Sequence, residues 1–159
     1  MATRVRSVDD VEAALNEVAS VTAFAEDVVL RGIVVTAQGA PTEMTTTATM
    51  TDAGMLGGII TGTHTAGATQ TYTTRTGTQI EAALAAVVGA LTTNDSFKLT
   101  IINLSAALAD TVTIAGGTGV SIVGKVTVDS AHADSEFPSS GTFLFRRSAA
   151  NTFIAYRIN

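Results

Sequence analysis

Asp95-Ser96-Phe97-Lys98-Leu99-Thr100-Ile101-Ile102-Asn103 opens the stretch that decides the fold of this chain. A Thr/Val/Ile ladder follows to Gly124, then Gly141-Thr142-Phe143-Leu144-Phe145-Arg146-Arg147, and the stretch closes on Phe153-Ile154-Ala155-Tyr156-Arg157-Ile158. Side chains alternate with a period of two, and Gly or Asn turns punctuate the runs, as in half-buried strands. Phe97, Leu99 and Ile101 share one face; Lys98, Thr100, Ile102 and Leu104 share the other. Thr111–Ala115 leads into Gly116-Gly117-Thr118-Gly119, a turn rich in residues that accept positive φ, and Val120–Val123 is expected to return as its hairpin partner. Gly124 marks a bend or bulge before Lys125–Val128. The polar loop Asp129–Ser140 precedes the strand carrying Phe143 and Phe145, and Ser148–Asn151 turns it into a last strand, Thr152–Ile158. Both end strands are apolar on both faces for part of their length, the pattern of strands covered on two sides. The expected fold is mainly β with two short helices: an antiparallel sandwich or barrel-like domain.

Upstream, Ser7-Val8-Asp9-Asp10 has the cap and acidic first turn of a helix start. Val8, Val11, Leu15 and Val18 then fall on one face at helical spacing. Val28–Val35 reads as a strand, and Ala37–Pro41 breaks it. From Thr42 to Thr78 the composition turns to Thr, Ala and Gly, with Glu43, Asp52 and Arg75 as its charged side chains. Thr favours extended backbone and the glycines permit bends, so this segment is expected to be an extended arm lying on another surface. Met50, Met55, Leu56, Ile59 and Ile60 are its apolar anchors. Thr78-Gln79-Ile80-Glu81 is a capping box, and Ile80, Leu84, Val87 and Leu91 continue it as an amphipathic helix to about Ala90. The opposite face, Ala82, Ala85 and Ala86, is small and uncharged, which predicts a helix covered on more than one side. The expected domains are residues 1–72, a helix, strand and arm, and residues 73–159, a capped helix and β domain.

Composition narrows the function classes. The 159 residues include 46% hydrophobic but only 14% charged side chains, against roughly 25% charged in an average domain. Mean hydropathy is +0.36, yet the longest apolar runs, Val28–Val35 and Leu84–Leu91, fall well short of the about 20 residues that span a bilayer. The apolar excess is therefore expected at interfaces between subunits. A net charge of −5 and a pI near 4.8 argue against a nucleic-acid surface, which needs clustered Lys and Arg. With no Cys there are neither disulfides nor thiolate metal sites. Met1-Ala2-Thr3-Arg4-Val5-Arg6 lacks the apolar core of a secretory signal, and the chain is expected to be made in the cytoplasm.

Catalytic and metal patterns fare poorly against plainer readings. Gly119-Val120-Ser121-Ile122-Val123-Gly124-Lys125 fits the start of a phosphate-binding loop, but Val126 stands where Ser or Thr is required and strand sequence continues where a helix should open. Asp129, His132, Asp134 and Glu136 gather four possible ligands, without the spacing or mid-loop Gly of a calcium loop. His64 is far in sequence from any paired acid and reads as exposed or interfacial, so no nucleophilic triad is expected. Arg146 and Arg147 are strand neighbours that project to opposite faces, suited to pairing or stacking at an interface. No enzymatic activity, cofactor or metal is expected.

From Thr76 onward the chain resembles a β module of tailed-bacteriophage virion proteins. The residues that carry the resemblance are the helix Thr78–Ala90, Asp95–Asn103, Asp110–Val120, Ser140–Arg147 and Asn151–Ile158. This order of blocks looks like that of capsid decoration (cement) proteins, head fibres and some tail-fibre segments. The resemblance implies a homotrimer on the outer capsid surface of the virion, with the major capsid protein as partner. The N-terminal half shows no such match; on its composition alone, Arg4, Arg6, Val11, Leu15, Met50, Met55, Leu56, Ile59 and Ile60 are candidate capsid or interchain contacts. Phe143, Phe145, Arg147, Phe153 and Tyr156 are candidate trimer contacts. The alternative is a head- or tail-fibre receptor-binding module touching the host surface; with two Tyr and no Trp, an aromatic carbohydrate platform is disfavoured.

Overall fold

The computed structural model describes residues 27–30, 33–36, 38–64, 68–133 and 138–159. The chain divides into two compact units, Met1–Gln38 and Gly39–Asn159. In the first, β1 (Asp27–Leu30) and β2 (Ile33–Thr36) pair antiparallel, with Leu30 opposite Ile33. The single strand expected over Val28–Val35 is thus two, with Arg31-Gly32 between them in sequence. The helix expected after Ser7 lies outside the described residues.

Among its described residues the second unit is mainly β and holds two sheets and two helices. Six strands lie in the order β3 (Thr42–Met44), β5 (Ile59–Gly62), β7 (Ser96–Asn103), β11 (Ser140–Ala149), β12 (Thr152–Arg157) and β9 (Val120–Val123). Four lie in the order β10 (Thr127–Val128), β8 (Thr111–Ala115), β6 (Thr69–Thr73) and β4 (Ala48–Thr49). From Thr42 to Ala115 the chain crosses from the larger sheet to the smaller and back, strand by strand. Each return brings it alongside its predecessor in the same direction, so β3, β5 and β7 are parallel, as are β4, β6 and β8. The ladder aligns Thr42 with Ile60 and Ile101 in one sheet, and Ala48 with Tyr72 and Ile114 in the other.

This corrects the antiparallel expectation. The sheets are mixed, because period-two alternation encodes which face a residue takes and is silent on the direction of the neighbouring strand. The antiparallel pairs are β7–β11, β11–β12 and β8–β10. Val120–Val123 is not the hairpin partner of Thr111–Ala115: it crosses to the other sheet and runs parallel to β12. The Gly116–Gly119 segment makes that crossing, and a Cβ on Gly116 would stand 2.3 Å from the Val120 carbonyl oxygen.

The Thr42–Thr78 segment is likewise no arm. It supplies β3 to β6 and α1 (Asp52–Leu56), and Met50, Met55, Ile60 and Tyr72 lie in the same core as Leu99, Ile101, Val112, Ile114, Phe143, Phe145 and Phe153. The compact unit therefore begins at Gly39, not at residue 73. Tyr72 ties the two sheets: from β6 its hydroxyl donates to the Met44 carbonyl at 2.7 Å. Gly62 leaves it room, since a Cβ there would lie 2.6 Å from the hydroxyl oxygen. Burial, and secondarily the nearby Glu43 carboxylate, push the Tyr72 hydroxyl above its ordinary pKa.

At the C-terminus Arg157 binds β12 to both sheets. Its guanidinium donates to the carbonyls of Ser140 in β11 and Thr127 in β10, and sits 5.6 Å from the centre of the Phe143 ring. Burial lowers its pKa, partly opposed by Asp129. Gly141 makes the space, because a Cβ there would meet the guanidinium carbon at 2.8 Å.

Candidate interaction surface

α2 (Gly77–Val88) joins β6 to β7 and begins two residues earlier than its sequence suggested. Two overlapping capping boxes are written there, and Thr76 with Gln79 prevails. The Gln79 N–H donates to the Thr76 hydroxyl, and the Thr76 N–H donates back to Gln79 Oε1 at 3.1 Å. Gly77 settles the choice of start: a Cβ would come within 2.0 Å of the Asn151 carbonyl oxygen, so the helix N-terminus packs directly on the β11–β12 turn. Glu81, the acid of the other box, is engaged elsewhere. It accepts from Arg147 Nη2 at 2.8 Å and Nε at 3.1 Å, and from the Asn151 backbone N–H. Such forked pairing fixes orientation as well as charge.

The Arg147 hydrogen bonds first, and the Asn151 N–H second, hold the Glu81 carboxyl below its ordinary pKa. A depressed folded pKa means that this stabilisation is present above the unfolded carboxylate pKa of about 4.3 and is lost as pH falls through the lower folded value. Glu81→Gln is expected to lower the melting temperature at neutral pH and to flatten the acid limb of the stability curve below about pH 4.3. Thermal melts of both proteins from neutral to strongly acidic pH check this; parallel acid limbs would show that the pair contributes nothing.

Beyond Glu81 the helix carries no charge. Ala82-Ala83-Leu84-Ala85-Ala86-Val87-Val88-Gly89-Ala90-Leu91 is an uncharged run of ten. Within α2 only Gly77 and Ile80 are fully buried. Val87 is 75% and Val88 66% exposed, and Ala82, Ala86 and Ala90 are exposed. Beside the helix end lies a groove of about 420 Å³ lined by Leu84, Val88, Ala90, Leu91, Asp95, Ser96 and Phe97. The expectation of a helix covered on more than one side is met on one side within this chain; the other side is an apolar face in solvent.

A polar cluster at the opposite end of β7 is the one place where catalytic residue types converge among the described residues. Ser105 Oγ lies 2.7 Å from His64 Nδ1 and accepts the His64 N–H at 3.2 Å. Asp110 Oδ1 accepts the Ala68 N–H, while Asp110 Oδ2 and His64 Nε2 are buried without partners. Asn103, wholly buried, accepts the Ser105 N–H and donates to the carbonyls of Asp110 and Val128. His64 is therefore half-buried and paired rather than exposed, a correction that sequence separation concealed. Ser105 is only 2% exposed, which closes its hydroxyl to a substrate carbonyl. The arrangement fastens β5, β7, β8 and β10 together.

The expected contact residues scatter. Phe143, Phe145 and Phe153 have no exposed surface; Phe97 stacks on Phe145 at 4.9 Å and meets Phe153 edge-on. They are core residues of this chain, not trimer contacts, because the inward face of the larger sheet is covered by the smaller one. Met50, Met55 and Ile60 are core residues for the same reason, while Leu56 and Ile59 are half-buried. Arg147 is paired to Glu81. Tyr156, half-buried on the outer face of β12, accepts from Arg146 Nη2 at 3.2 Å. Arg146 also donates to Asn94 Oδ1, so the two arginines do serve opposite faces. Arg4, Arg6, Val11 and Leu15 lie outside the described residues, as do Asp134 and Glu136 of the polar loop. Asp129 pairs with Lys125 at 3.5 Å, and no group of three metal-ligating side chains occurs among the described residues. Gly119–Lys125 contains β9, and a second strand, β10, follows Lys125 where a phosphate loop would open a helix. No described helix is long and apolar enough to cross a membrane. The signal for the apolar face lies in the uncharged run Ala82–Leu91 itself.

Comparison with known proteins finds no matching family model, curated protein or solved structure.

Proposed function

We propose that this chain is a virion structural protein of a tailed bacteriophage, a capsid decoration or cement protein that binds the outer surface of the head as a homotrimer. The observation that carries this reading is a small β unit that completes its own core and still presents to solvent an apolar helix face that is uncharged beyond Glu81. Such a surface suits a protein that works packed against protein. The order of the residue blocks from Thr78 to Ile158 supports the phage assignment. Attachment to the major capsid protein is assigned to the separate unit of residues 1–38, which contains Arg4, Arg6, Val11 and Leu15. Several modest contacts per trimer then act together through effective concentration.

The test is co-sedimentation of the purified full chain with expanded, undecorated capsids and, separately, with host cells. Pelleting with capsids is the expected result. Pelleting with cells alone would replace this reading with that of a fibre or receptor-binding module.

A further inference from the structure

We propose that the outer face of the larger sheet docks an acidic, extended segment of another protein, whose carboxylates pair with Arg146 and Lys98. The inference stands apart from the decoration reading, since it rests on the charge layout of this sheet. The chain has 14 acidic residues against 9 basic ones, yet β5, β7, β9, β11 and β12 contain no Asp or Glu. Phe143 and Phe145 are buried on the inner face, so Leu144 and Arg146 point outward. The register places Lys98, Leu144, Tyr156 and Val123 directly opposite one another across β7, β11, β12 and β9, and Arg146 opposite Ile154 in the adjoining row. The acids nearest this patch are turned away from it or distant. Glu43, on the edge strand β3, lines up with Thr61 and Ile102, well along β7 from Lys98. Asp95, just before β7, accepts from the Thr92 N–H and hydroxyl.

Arg146 is held in place but not neutralised. Its Nη1 donates to Asn94 Oδ1 at 2.7 Å and its Nη2 to the Tyr156 hydroxyl at 3.2 Å, both uncharged acceptors. The ion pairs among the described residues are Arg75–Asp52, Lys125–Asp129 and Arg147–Glu81, so neither Arg146 nor Lys98 enters one. Those two bonds fix the guanidinium plane and leave further N–H groups of the fork for a carboxylate. Arg146 and Lys98 are diagonal neighbours on one face, about 7–8 Å apart. Carboxylates two residues apart in an extended peptide share a face at about 6.4–6.8 Å, which matches the pair. Other anionic partners fit less well. Nucleic acids and anionic membranes are gripped by larger clusters of Lys and Arg. A sugar ring stacks on an open aromatic face, and the Tyr156 ring carries the Arg146 guanidinium 5.9 Å from its centre. Leu144, Ile154 and the half-exposed Val123 offer aliphatic surface beside the charges, which suits aliphatic side chains flanking the acids of a peptide.

The test is a titration of the isotope-labelled full chain with the peptide Val-Thr-Glu-Thr-Glu-Thr-Val, whose two acids and two valines share one face when extended, followed by nuclear magnetic resonance. Saturable amide shifts confined to β7, β11, β12 and β9 are the expected result, with binding that weakens as salt is raised. The counterpart with Gln in place of both Glu is expected to leave the spectrum unchanged. Lys98→Glu and Arg146→Gln are each expected to weaken binding at least about tenfold. Lys98 is exposed, so its variant keeps a cooperative thermal melt and remains a fair test should Arg146→Gln disturb the sheet. Leu108→Glu, on the β7–β8 connection and 52% exposed, is expected to bind as wild type does. No shifts at millimolar peptide, equal shifts with the Gln peptide, or unchanged affinity in Lys98→Glu would each overturn the proposal. Shifts in the same strands from a sulfated oligosaccharide but not from the peptide would replace it with a glycan site. Shifts there on dilution of the protein alone, abolished by Lys98→Glu, would replace it with a contact between copies.

Discussion

A fragment consisting of residues 73–159 is expected not to fold, whereas residues 39–159, the second compact unit, are expected to give a cooperatively unfolding domain. The shorter fragment retains α2 and the C-terminal strands β7 to β12, among them the β11–β12 hairpin. It loses Met50, Met55, Ile60 and Tyr72, four side chains that are at most 1% exposed in the intact unit. At about 2 kcal/mol for each fully buried side chain of this kind, their loss rivals the whole stability of about 5–15 kcal/mol that a domain has to spare. Sheet edges are lost as well. β7 would forfeit its parallel neighbour β5, and β8 would forfeit β6, leaving apolar inner faces and two rows of peptide groups unpaired. Circular dichroism and urea unfolding of the two fragments decide the matter. A cooperative transition for residues 73–159 would mean that the first two turns of the coil are accessory.

The second large effect belongs to a single buried amide. Asn103→Leu keeps the approximate volume at the end of β7 but strips partners from the Ser105 N–H and from the carbonyls of Asp110 and Val128. Each buried group left without a partner costs about 1–3 kcal/mol, so the variant is expected to lose at least about 3 kcal/mol. Asn103→Asp, which keeps the acceptor and loses the donors, should also destabilise, though the Ser105 bond survives. Urea midpoints at neutral pH measure both. A loss of under about 1 kcal/mol for the leucine variant, the worth of one ordinary hydrogen bond, would show that the hub is not holding the strands together.

How much of this was legible in the sequence depends on which physical quantity is asked for. The facing of residues was readable: Leu99, Ile101, Phe143, Phe145 and Phe153 lie on the inner face that their alternation assigns them. Strand direction and partner were not, because Val120–Val123 carries the same pattern whether it returns beside β8 or crosses to β12. The Thr-rich segment misled for a different reason. In β6, Thr69-Gln70-Thr71-Tyr72-Thr73, only Tyr72 is fully buried, so a core strand carries almost none of the apolar density that marks one. Its outward threonines line up instead with those of the next strand, Thr69 beside Thr111 with their hydroxyls 3.1 Å apart, a match visible only once the register is known. The start of α2 was ambiguous in principle. Thr76 with Gln79 and Thr78 with Glu81 both spell a cap, and the tertiary demands of Arg147 on Glu81 and of Asn151 on Gly77 chose between them. The candidate surface was half legible: the missing charges stood in the sequence, but which side of α2 the sheets would cover did not.

The strand-by-strand crossing from Thr42 to Ala115 has a consequence for how such a domain changes length. Each circuit of the coil touches chiefly the circuits before and after it, so stability accrues circuit by circuit, as in repeat proteins. Inserting one further circuit would lengthen the unit by about 4.8 Å, the spacing of neighbouring strands, without altering the side chains that already face one another. Outside their anchoring residues, Met55 in α1 and Gly77, Ile80 and Glu81 in α2, the connectors differ in length: one circuit is joined to the next by the five residues of α1, the following one by the twelve of α2. In this architecture the reach of the protein and the decoration on its flank are separate variables, and a lineage could tune either one while leaving the other untouched.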